Sequence, residues 1–177
     1  APYEAMAAGG REVTEQDRLL TALCRPDRLL DLARRFTLFD LGIKKVARYQ
    51  QFEAVNDIVD RTVSLVGKPP AQVTATDRTG LIWHTQGSGK SLTMVMLARA
   101  LALEPEIRNP RIVLVTDRVD LDKQLGNTFA ACGLSPDRAE SGRHLVELVA
   151  DGKAHIVTTL VHKFDKALAY KKFSDTS

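Results

Sequence analysis

The sequence has 177 residues, of which 44% are apolar and 27% charged, with a net charge of +3 and a pI of about 9.0. That is the make-up of a globular protein with one core of ordinary size, or one core and an appendage. No apolar run approaches the roughly 20 residues of a membrane span, so no membrane partner is expected and the expected location is cytoplasmic.

The mild basicity permits contact with nucleic acid without requiring it. The N-terminus, Ala1-Pro2-Tyr3-Glu4-Ala5-Met6, has neither the basic start nor the long apolar stretch of a signal peptide. It also lacks an initiator Met, as expected of a piece of a longer chain. Cys24 and Cys132 are far apart and form no Cys-x-x-Cys pair, so both are read as buried thiols of an intracellular protein. His84, His144, His155 and His162 show no metal-ligand spacing.

In chain order, residues 1–14 are small and mixed and read as a flexible connector. A first helix is predicted near Glu15–Leu23, with Leu19, Leu20 and Leu23 on one face. A second follows Arg25-Pro26-Asp27, with proline in its first turn. Phe36, Leu38, Phe39 and Leu41 form a short apolar stretch that Gly42 ends. This N-terminal part reads as a lead-in that packs on the main domain. Lys44 to Gln51 leads into a longer helix, whose apolar face is Phe52, Val55, Ile58, Val59, Val63 and Val66. Gly67-Lys68-Pro69-Pro70 ends that helix, and residues 71–79 read as a loop or a short hairpin.

Gly80-Leu81-Ile82 then reads as a short buried strand, and the helical run from Leu92 to Leu101 follows nine residues of different character. Between them lies Trp83-His84-Thr85-Gln86-Gly87-Ser88-Gly89-Lys90-Ser91. A strand, a glycine-rich turn, Gly-Lys-Ser and a helix form the setting of a phosphate-binding loop. Gly87 and Gly89 let the backbone curl with its N–H groups toward phosphate oxygens, and Thr85, Gln86 and Ser88 complete the turn. The start of the helix adds its positive dipole end. Lys90 is expected to reach the terminal phosphates and the Ser91 hydroxyl to ligate Mg²⁺. The general pattern has a glycine five positions before Gly89, where this chain has His84.

Downstream, Arg111 to Thr116 is a β-branched run of the kind found in a parallel sheet buried on both faces. A helix opens at Asp117 and reaches about Ala131, a loop holds Gly133 and Pro136, and a helix covers Gly142–Val149. A strand over Ala154–Thr159 and a last helix through Leu160, Val161, Phe164 and Leu168 complete the pattern. This alternation predicts an α/β fold with a parallel sheet flanked by helices.

Three further features sit at helix starts or strand ends. Tyr49, Gln51, Ala54 and Val55 give an aromatic–Gln–x–x–Ala–Val pattern. A glutamine amide there either reads N6 and N7 of adenine or is a polar group near a helix start. Thr116-Asp117-Arg118 and Thr158-Thr159 lie at strand ends, where open α/β sheets bind ligands. Arg118 is read either as a DNA-phosphate contact or as an ion-pair partner of Asp117, Asp120 or Asp122.

Gln51-x-x-Ala54-Val55, the loop from His84 to Ser91, and Val115-Thr116-Asp117-Arg118-x-x-Leu121-Asp122-x-Gln124-Leu125 together resemble the first RecA-like motor domain of superfamily 2 helicase-type ATPases. The wording Leu81-Ile82-Trp83-His84-Thr85-Gln86-Gly87-Ser88-Gly89-Lys90-Ser91 is similar to the R (restriction and translocase) subunit of type I restriction enzymes, where a histidine usually stands at the His84 position. The lead-in from Leu29 to Phe39, with Lys44 to Gln51, resembles that family too.

The resemblance implies a subunit that pumps duplex DNA with ATP and Mg²⁺ and cuts it, beside methyltransferase and specificity subunits. It implies a P-loop NTPase (RecA-like) fold, with a linker and helical lead-in over 1–43 and the N-terminal part of the motor domain over 44–177. By resemblance, Thr116, Arg118, Thr158 and Thr159 track one DNA strand, and Gln51 with the loop holds ATP. The Walker B acids, the arginine finger and the nuclease residues are expected outside this segment, so the fragment alone is expected to be inactive. The competing readings are another superfamily 2 helicase, working on DNA or RNA, and a P-loop fold used as a nucleotide-gated binding module.

Overall fold

The computed structural model describes residues 12–150 and 155–170. Of the connector expected over residues 1–14, residues 1–11 lie outside the described residues, as do the strand start expected at Ala154 and the side chains of Leu19 and Leu23. Helix α1 spans Glu15–Leu23 and begins with a reciprocal cap, in which Thr14 and Asp17 exchange side-chain and backbone bonds. Helix α2 spans Pro26–Arg35 with proline in its first turn, where the missing N–H costs nothing.

A hairpin then departs from expectation. Strand β1, Thr37–Asp40, pairs antiparallel with β2, Ile43–Val46, through a two-residue turn at Leu41-Gly42. Both turn residues have positive φ, 50° and 81°, the conformation whose twist matches that of the flanking strands. The segment from Lys44 onward is therefore strand first and helix only from Tyr49.

Helix α3 spans Tyr49–Leu65 and buries Gln51, Val55 and Val59. Beyond it, residues 70–78 form no hairpin. A turn of 3₁₀ helix at Pro70–Gln72 leads to a single helical turn, α4, at Ala75–Arg78. There the Thr74 hydroxyl and N–H bond the Asp77 carboxylate and hold its pKa below the ordinary value.

Helix α5, Lys90–Leu103, is apolar nearly all round and is the central helix of the fold, as such a helix must be. Its Val95, Met96, Ala98 and Ala100 join Val55 and Val59 of α3, Phe36 and Leu38 of the lead-in, and Leu125 and Phe129 of α6, Val119–Ala131. The lead-in thus packs on the rest of the chain through Phe36 and Leu38. Phe36 lies 4.6 Å from Phe52 between ring centroids, and Arg99 Nη1 donates to the Thr37 carbonyl at 2.9 Å.

The sheet is parallel, in the order β3, β5, β4. Strand β3 is Ile112–Thr116, β4 is Asp137–Arg138 and β5 is Ile156–Leu160. Ile112, Leu114 and Ile156 face the α5 and α6 side. Val113 and Val157 face a second, smaller core made with Leu145 and Val146 of α7, Gly142–Ala150, and Ala167 of α8, Val161–Leu168. Alternate residues on opposite faces are what period-two strands dictate.

Two expectations fail here. Gly80-Leu81-Ile82 is not a strand, and Leu81 and Trp83 are each 86% exposed. Apolar content alone does not make a strand: it needs a neighbour with free N–H and C=O groups, and no described strand pairs with this run. Cys24 is exposed rather than buried, while Cys132 is half-buried and its thiol pKa is raised by burial and by Asp40.

Candidate functional site: the loop before helix α5

The loop at residues 84–89 closes on itself first. Ser88 donates twice to the Thr85 carbonyl, from its N–H at 3.3 Å and from its hydroxyl at 2.8 Å. Gly87 and Gly89 stand at φ of 78° and 86°, left-handed values that a Cβ disfavours. His84 is not among the described residues with positive φ, so a side chain is tolerated there and the general glycine is not required.

Gly89 is the cap of α5 and offers no side chain. The first helical bond runs from the Thr93 N–H to the Gly89 carbonyl at 3.0 Å. The N–H groups of Lys90, Ser91 and Leu92 precede it, and no side chain caps them. No acid lies in this first turn. Lys90 is exposed and has no ion-pair partner among the described residues. Uncapped helical N–H groups and the positive end of the helix dipole meet at this start, with an exposed lysine in its first turn, a setting that favours negative charge.

Behind the loop, Gln51 is 5% exposed. Its Oε1 accepts the Arg48 N–H at 2.9 Å, at the start of its own helix. Its Nε2 donates toward Thr93 Oγ1 at 3.1 Å, the Gly89 carbonyl at 3.2 Å and the Ser88 carbonyl at 3.4 Å. The structure joins Gln51 to the loop through the loop backbone, a contact that the sequence pattern did not imply. Thr93, buried and bonded to both Gln51 and Gly89, was missed by sequence reasoning, because an alcohol inside an apolar helical run carries no signal of its own.

At the exit of β3 the arrangement differs. Arg118 is exposed and lies 3.6 Å from the Asp117 carboxylate, a solvated pair of small energetic weight. Thr116 Oγ1 donates to the Arg118 carbonyl at 3.5 Å. Thr158 and Thr159 are 2% and 1% exposed and lie on β5, inside the sheet. Asp122 is nearly fully buried: one carboxylate oxygen meets Arg138 Nε at 2.7 Å and the other has no hydrogen-bond partner among the described residues.

The architecture, a parallel sheet with helices on both faces and a glycine-rich loop that opens a buried helix, is an α/β fold of the phosphate-loop NTPase class. A family model described as SWI2/SNF2 ATPase matches residues 50–177, and the chain belongs to that family. It is 39% identical, over 85% of its own length, to the type I restriction enzyme HindI endonuclease subunit of Haemophilus influenzae. It is 35% identical, over 89% of its length, to the putative type I restriction enzyme MjaIXP endonuclease subunit of Methanocaldococcus jannaschii. The matched part is 15% of each of those two proteins, so the chain spans a small share of such subunits. No described helix is long and apolar enough to cross a membrane.

Proposed function

We propose that this chain is the ATP-binding part of an ATP-dependent DNA translocase and endonuclease subunit of a type I restriction-modification system. The observation that carries the proposal is the start of α5, where uncapped N–H groups and Lys90, without an ion-pair partner among the described residues, follow two left-handed glycines. The residues fit ATP with Mg²⁺. The N–H groups of the loop and first turn would hold phosphate oxygens, and Lys90 would neutralise the terminal phosphates. The Ser91 hydroxyl, half-buried with no described hydrogen bond, would ligate the metal. Bound nucleotide would supply the free energy of phosphoanhydride cleavage. Thr85, Gln86 and Ser88 line the turn.

The linker and helical lead-in are proposed to span 1–43 and the motor-domain segment 44–177. The partners proposed with it are duplex DNA and the methyltransferase and specificity subunits of the complex, in the cytoplasm. The proposed DNA contacts are Thr116 and Arg118 at the exit of β3, with Thr158 and Thr159 on β5, the last two 2% and 1% exposed.

The test is Lys90→Ala in the full-length protein. Loss of a charge-assisted contact to a multiply charged phosphate is expected to abolish ATP-driven translocation and cleavage while the fold survives. Near-normal ATPase turnover by that variant would refute the assignment.

A further inference from the structure

Two buried side chains on different helices hold the loop from behind. Gln51 comes from α3 and Thr93 from α5, and they meet at the Gly89 carbonyl. Thr93 has one hydroxyl proton, and Gly89 O, 3.2 Å away, can only accept it. Toward Gln51, the same oxygen is therefore an acceptor, which is what the NH₂ end of the amide meets at 3.1 Å. The other end of the amide is fixed by the Arg48 N–H. A flipped amide would set oxygen against two carbonyls and nitrogen against an N–H.

The consequence lies on the other side of the same peptide groups. In a planar trans peptide, C=O and N–H point in opposite directions. Holding the Ser88 and Gly89 carbonyls toward the protein turns the N–H groups of Gly89 and Lys90 away from it, where an anion would meet them. We propose that Gln51 and Thr93 are positioning residues that set the direction of these two N–H groups before any ligand arrives. On this account Gln51 acts on the loop and not on the base. Its two amide protons already face three acceptors, which leaves none for a ring nitrogen of adenine. The pair thus prepares the site for the polyphosphate of any nucleoside triphosphate. This rests on the nucleotide-binding function proposed above.

The experiment measures dissociation constants of the full-length protein, with Mg²⁺, for ATP, GTP and inorganic tripolyphosphate. The variants are Gln51→Ala, Thr93→Val, Thr93→Ser, the double variant Gln51→Ala/Thr93→Val, and Lys90→Ala. Gln51→Ala and Thr93→Val are each expected to weaken all three ligands by a similar factor, about three- to tenfold, the range of one net hydrogen bond. Thr93→Ser keeps the hydroxyl and is expected to restore binding. The double variant is expected to be little worse than either single one, because the two side chains act through one carbonyl.

A loss confined to ATP would show that Gln51 reads adenine and would overturn the inference. Wild-type affinity in Thr93→Val, or no recovery in Thr93→Ser, would remove Thr93. If Lys90→Ala alone lost affinity, only the positioning account would fail. If Lys90→Ala bound like the wild type, the nucleotide reading would fall, and this one with it.

Discussion

Helices α5 and α6 begin in opposite ways, although both start from an extended or looped segment beside the sheet. The first turn of α6 carries Asp120 and Asp122, and its cap, Arg118, is in extended conformation. Its positive dipole end is answered by its own carboxylates, one of them buried against Arg138. The first turn of α5 carries no acid, its cap is a left-handed glycine, and its lysine is unpaired among the described residues. One start is electrostatically closed by the chain, and the other is left for something else to close. The start of α7 is closed by a third means: Ser141 Oγ accepts the His144 N–H at 3.1 Å, and Gly142 packs against α8.

The contrast is most sharply broken by making α5 resemble α6. Ser91→Asp puts a carboxylate into the open first turn. It is expected to weaken nucleotide binding at least about a hundredfold, since like charges about 4 Å apart repel by roughly 4 kcal/mol at an effective dielectric near 20. The thermal midpoint should hold or rise, because an acid at a helix start is stabilising. Titration of nucleotide and a melting curve of the same variant check both halves.

The converse change opens α6. Asp122→Asn removes the buried charge facing Arg138, and a loss of about 2 kcal/mol is expected in urea unfolding. That is below the usual figure for breaking a buried pair, because the Arg138 side chain is 45% exposed. Gly142→Ala is expected to cost about 1–2 kcal/mol by the same measurement. A Cβ there would stand 2.9 Å from Lys166 Cβ and 3.0 Å from both Ala167 N and the Lys163 carbonyl, and two of those three atoms are backbone. The smallest effect is that of Arg118→Ala. Affinity for two unrelated duplexes should fall by a similar factor, and the salt slope should drop by about 1. An unchanged slope would leave Arg118 as a partner of Asp117 alone.

How much of this was legible follows from the range of the signals. Helices α1, α2 and α5 were readable because capping residues, proline and apolar runs act within a few positions. The loop was readable because Gly87, Gly89, Lys90 and Ser91 are chemistry-bearing residues at fixed offsets. The β1–β2 hairpin was missed because four-residue strands with Lys44 and Lys45 in one arm look like the polar lead of a helix. Strand β4 has two exposed charged residues, Asp137 and Arg138, and owes its existence to β5 alone. The run Gly80-Leu81-Ile82 failed in the reverse direction, since its apolar content promised a ladder that no described strand supplies. The contacts of Gln51 with the loop span 37 and 38 positions and that with Thr93 spans 42, and no local rule reveals which end of an amide meets which carbonyl.

The exposure of residues 81–83 gives the molecule an optical handle. Trp83 is the one tryptophan of the chain, 86% exposed and four residues before Gly87. An indole in water emits at long wavelength, and one covered by protein or ligand emits further to the blue. Intrinsic fluorescence of this chain thus reports from a single address beside the loop. Quenching by iodide or acrylamide would show, without any label, when that address is sheltered.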